Sequence, residues 1–83
     1  MPRHRLGLDT KAERDYAEAV ADQAFARGIE LAVRGNLVDL VFEIGVLHGI
    51  SLLARQEGAR ELDAHVSKLK SRLDAEARKL GRG

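Results

Sequence analysis

The chain has 83 residues, formal net charge +1 and no cysteine, which limits it to one small domain without disulfides or thiolate chemistry. With only one tyrosine, two phenylalanines and no tryptophan, it lacks the stacking platforms on which single-stranded nucleic acids are usually held. The start, Met1 to Leu8, is basic but has no apolar run, so no secretory signal is expected there, and a cytoplasmic location is expected.

The first predicted helix spans about 11–34. Thr10-Lys11-Ala12-Glu13 has the form of a capping box: a hydroxyl accepts from a first-turn amide, and a carboxylate reaches back to the cap amide. Its apolar arc holds Val20, Ala21, Ala24, Phe25, Gly28, Leu31 and Ala32, with Tyr16 at the edge. Ala17, Ala21, Ala24 and Gly28 form a small-residue strip against which a second helix can approach closely. Gly35-Asn36 is the clearest break. Glycine suits the left-handed position that closes a helix, and Asn36 can cap the next.

The second predicted helix spans about 37–57 and is the most informative stretch of the chain. At about 100° per residue, Asp39, Glu43 and Glu57 share a narrow stripe, read as solvated or paired with Arg34 or with a neighbouring helix. His48, Ser51 and Arg55 lie on the far side. One apolar flank holds Leu40, Ile44, Leu47 and Ala54; the other holds Val38, Phe42, Gly45, Gly49 and Leu53. A helix with two apolar flanks needs neighbours on both: either helices 1 and 3 cover one each, or a second copy of the chain covers one. Gly45 and Gly49 have GxxxG spacing, which marks a close helix approach and pairs plausibly with the Ala/Gly strip of helix 1. Gly49-Ile50-Ser51 resembles the turn of a helix-turn-helix. However, Arg55 and Gly58 then occupy positions that should be buried, and Leu52 and Leu53 positions that should read bases. Gly49 is therefore read as internal to one helix. A membrane span is not expected, since Asp39, Glu43 and His48 would all lie in hydrocarbon.

The third predicted helix spans about 59–80. Leu62, Val66, Leu69 and Leu73 recur at spacings of four, three and four, a coiled-coil-like seam broken at Glu76. Charge is segregated along the chain: residues 1–8 carry +2, residues 9–63 carry −5 and residues 64–83 carry +4. Lys68, Lys70, Arg72, Arg78 and Lys79 are thus candidates for contact with phosphate or an acidic partner.

The fold expected is all-α, a three-helix up-down-up unit completed by self-association, in a single domain 1–83 with short flexible basic ends at 1–8 and 81–83. No catalytic constellation, phosphate-binding loop or dinucleotide fingerprint is present, so neither an enzyme nor a cofactor is expected. No metal site is expected either: only His65 has a carboxylate at helical spacing, Glu61, and one such pair is ordinarily a surface contact. The functional reading is a small non-enzymatic interaction or regulatory protein: an adaptor, assembly factor or stoichiometric inhibitor. It is expected to form a homodimer and to engage a larger protein, without membrane contact. Phe42, Leu47, Leu53, Leu62, Val66, Leu69 and Leu73 are the candidate self-association or partner face. The alternative is a nucleic-acid-associated transcriptional regulator applying its basic termini to phosphate.

Overall fold

The computed structural model describes residues 8–82. They form three α-helices in an up-down-up bundle: α1 (Lys11–Arg34), α2 (Leu37–Gln56) and α3 (Arg60–Gly81), with no strand among the described residues. The first helix has its expected bounds. The second ends one residue early; the third starts one residue late and continues one further. Residues 1–7 of the expected basic end lie outside the described residues. Leu8 belongs to the core, at 3% exposure, and the Arg14 guanidinium donates to its carbonyl.

Local chemistry sets each boundary. Thr10 Oγ1 accepts from the Glu13 amide at 3.1 Å, and the Thr10 amide donates to Glu13 Oε1 at 3.0 Å, completing the capping box. At the other end of α1, Gly35 takes φ 75°. Its amide donates to Ala32 O and the Asn36 amide to Leu31 O, the double closure of a Schellman motif. Asn36 Oδ1 accepts from the Asp39 amide at 3.1 Å and starts α2. A second Schellman motif ends that helix: Gly58 takes φ 74°, and the Gly58 and Ala59 amides donate to Arg55 O and Ala54 O. Gly49 lies within α2, so the chain has no helix-turn-helix break there.

The core lies on one side of α2. Leu40, Leu47 and Ala54 meet Leu62, Val66 and Leu73 of α3 and Ala17, Ala21 and Ala24 of α1 in one buried cluster. Because α1 contributes only small residues here, its backbone can pack close to its neighbours. The closest approach is at Gly28, where an added Cβ would lie 2.5 Å from Leu73 Cδ1. The seam of α3 is used as expected, with Leu62, Val66 and Leu73 buried and Leu69 partly so. Glu76 does not end the helix; it sits at the rim and pairs with Lys79 at 3.5 Å.

Candidate interaction site

Both neighbours of α2 pack on the same flank. Its inner face is Leu40, Glu43, Leu47, Ser51 and Ala54, all buried. The opposite face is Val38, Val41, Phe42, Gly45, Gly49 and Leu52, all exposed. These positions advance by three or four residues and so form one stripe along the helix. Val38 is 79% exposed, Phe42 67%, Val41 54% and Leu52 44%. Since a buried aromatic covers about 150–250 Å² and an aliphatic somewhat less, the four side chains together expose on the order of 400 Å² of surface. The largest apolar patch on a monomer is commonly of that size, about 300–600 Å², and is often functional. Helices 1 and 3 thus do not cover one flank each, the first of the two arrangements expected for α2; neither covers this one.

Two polar clusters fix the inner face. Glu43 is not solvated: it is 7% exposed and receives Arg27 Nε and Nη2 of α1 at 3.1 and 3.2 Å. A two-pronged guanidinium contact satisfies both carboxylate oxygens, and Arg27 rather than Arg34 supplies it. Ser51 donates to Asp63 Oδ1 of α3 at 2.6 Å, Ser67 donates to the same oxygen at 3.1 Å, and Arg55 Nε donates to Asp63 Oδ2 at 3.0 Å. These donors, Ser51 foremost, hold the Asp63 carboxyl below its ordinary range against the opposing effect of burial. No buried side-chain polar atom among the described residues lacks a partner.

By length and composition α2 could also cross a membrane. The commitments of Glu43 to Arg27 and of Ser51 to Asp63 instead bind it into the bundle.

The seven residues predicted to form a partner face divide sharply. Phe42 stands on the uncovered stripe. Leu47, Leu62, Val66 and Leu73 are enclosed in the core and are not at the surface; Leu53 and Leu69 are partly buried against it. Val38, Val41 and Leu52 complete the stripe and were not among the candidates. Val38 stood on the second apolar flank, whereas that flank named Leu53 in place of Leu52 and omitted Val41; a helical wheel, moreover, cannot say which flank is covered. The expected pairing of Gly45 and Gly49 with the strip of helix 1 does not form. Nothing lies within 4 Å of a Cβ added at either, and Gly28 packs on Leu73 instead.

Four of the five basic residues share one face of α3, and Lys70 lies apart from them. Lys70 pairs with Asp74 at 2.9 Å and Lys79 with Glu76 at 3.5 Å. Lys68, Arg72 and Arg78 are exposed, and with Lys79 their spacing places them within about 120° of one another, on the side of α3 away from the Leu62–Leu73 seam. His65 pairs with Asp22 of α1 at 2.7 Å rather than with Glu61. With Glu18 they form a group whose ligand atoms all lie within 4.8 Å of one another. These are the described residues that could hold a metal ion, although His65 and Asp22 already satisfy each other and both carboxylates are exposed. Sequence spacing could not find the group, because its members are on different helices.

Comparison with protein families, curated proteins and solved structures finds no significant match.

Proposed function

We propose that this chain is a small, non-enzymatic, cytoplasmic interaction protein that docks other protein surface against the outer face of α2. The observation carrying the proposal is the uncovered stripe Val38, Val41, Phe42 and Leu52, an apolar surface within a helix whose opposite face is fully used by the bundle. A small protein with such a face works by stoichiometric contact, as an adaptor, assembly factor or inhibitor. Its regulatory effect would come from occupying or assembling a partner, with hot-spot energy concentrated at the aromatic anchor Phe42.

Affinity capture from source lysate, with and without nuclease, tests this reading against a Phe42→Asp variant. The expected outcome is one protein recovered stoichiometrically in both arms and lost with Phe42→Asp, while the helical signal of the variant is unchanged. Recovery that vanishes with nuclease and survives Phe42→Asp would overturn the reading in favour of phosphate contact through residues such as Lys68, Arg72 and Arg78.

A further inference from the structure

The glycines inside the helices are not equivalent. Gly28 has a reason within the fold, since a Cβ there would meet Leu73. Gly45 and Gly49 have none: both are exposed and open space surrounds each. Glycine inside a helix is less stable than alanine, so their lack of side chains serves no purpose in the isolated bundle. They make a notch in the outer stripe, between Val41 and Phe42 on one side and Leu52 on the other.

We infer that the surface seated in this notch is the α2 of a second copy of this chain, antiparallel, about a two-fold axis near Gly45. The inference rests on the reading that the outer face of α2 is a docking surface. A two-fold contact must be self-complementary, and the stripe is. Val38 and Leu52 each lie seven residues from Gly45, about 10.5 Å along the helix. An antiparallel partner therefore places Val38 level with Leu52 of the other copy, Val41 with its Gly49 and Phe42 with its exposed His48. Bulk falls on Gly49 in both halves, and the two Gly45 meet at the axis, where the backbones can approach closely. A parallel partner would instead stack Phe42 on Phe42 and set Gly49 against Gly49. The stripe carries no charged side chain, so no charge is left buried when like meets like, and antiparallel helix dipoles oppose favourably. Two stripes with their flanking stems would bury on the order of 1,000 Å² in total, near the floor for a specific interface. The dimer is accordingly one that dissociates on dilution.

Sedimentation equilibrium of the purified chain, from micromolar to millimolar, tests the inference. Wild type is expected to show a reversible monomer–dimer equilibrium that changes little with salt, and Phe42→Asp only monomer. Replacing both glycines, Gly45→Ala with Gly49→Ala, should raise the melting temperature of the monomer and yet weaken the dimer at least about tenfold. The chain has no cysteine of its own, so orientation can be read by oxidation. A mixture of Val38→Cys and Leu52→Cys chains should cross-link as the mixed pair. Val38→Cys alone should cross-link poorly, because its two copies sit about 21 Å apart along the axis, beyond disulfide reach. A wild-type monomer throughout, a glycine double variant whose dimer is unweakened, or preferential cross-linking of Val38→Cys to itself would each overturn the inference. In the first case, capture that still depends on Phe42 would preserve the docking reading with an unlike partner.

Discussion

The two faces of α2 are similarly rich in apolar residues and have opposite fates. The inner face contains the polar residues: Glu43, held by Arg27, and Ser51, held by Asp63. The outer face contains no charged side chain, and its large apolar residues stand exposed. Polarity would have sorted them the other way. What places a face inside is the presence of complementary groups on its neighbours, and a buried carboxylate with two guanidinium contacts is acceptable where an unpaired one is not.

The contrast breaks most visibly at matched truncations. Leu47→Ala on the inner face should lower unfolding free energy by about 2–5 kcal/mol. Phe42→Ala on the outer face should change it by no more than about 0.5 kcal/mol at concentrations where the chain is monomeric. Urea denaturation followed by circular dichroism measures both. A comparable loss at Phe42 would mean that the stripe is covered within one chain.

The inner ion pair sharpens the same comparison. Arg27→Ala strands Glu43 in the core. Because the Arg27 side chain is itself 53% exposed, the loss should be about 1–2 kcal/mol, below that of a fully buried pair. Replacing both partners, Arg27→Met with Glu43→Leu, should restore most or all of that stability. A double variant worse than Arg27→Ala would show that the pair contributes more than its own desolvation.

Gly28→Ala tests the one helix-interior glycine that the fold requires. Helix propensity favours the change by about 1 kcal/mol, but the added Cβ would lie 2.5 Å from Cδ1 and 2.9 Å from Cδ2 of Leu73, which is fully buried. Overpacking of about 1–3 kcal/mol should leave a net loss of about 1 kcal/mol in the same denaturation experiment. The sign is thus opposite to that expected at Gly45 and Gly49.

The smallest effect is in acid. The Asp63 carboxyl is depressed in the folded chain, so its contribution is present above the unfolded carboxyl range and is lost as pH falls through the folded value. Asp63→Asn should therefore flatten the decline of stability below about pH 4 while lowering stability at neutral pH. An unaltered acid profile would remove Asp63 from the account of how α2 is held to α3.

Much of the fold was legible because its signals are local. The Thr10–Glu13 box, the Gly35-Asn36 break and the stop at Gly58 involve residues a few positions apart, and each forms as the spacing implies. The seam of α3 and the small strip of α1 were legible because burial repeats with the helical period. The site was less so. Which flank of α2 stays open, that Glu43 is met by Arg27, and that His65 is met by Asp22 across 43 residues all depend on how helices are rotated against one another. Periodicity fixes a face but not the neighbour that meets it. Phe42 was found because it is large and apolar on a flank that the wheel already showed; Leu47 was grouped with it for the same reason, though it lies on the face that the bundle closes.

The order of the helices also shapes how the chain is made. Only Gly35 and Asn36 separate α1 from α2, so their contacts are local and these two can pair within about microseconds to milliseconds. The third helix emerges last, and at about 5–20 residues per second its 22 residues take about one to a few seconds to synthesise. For that interval the nascent hairpin has both faces of α2 partly uncovered. Arrival of α3 closes only one of them, so the aggregation hazard of the unfinished chain and the docking surface of the finished one reside in the same helix.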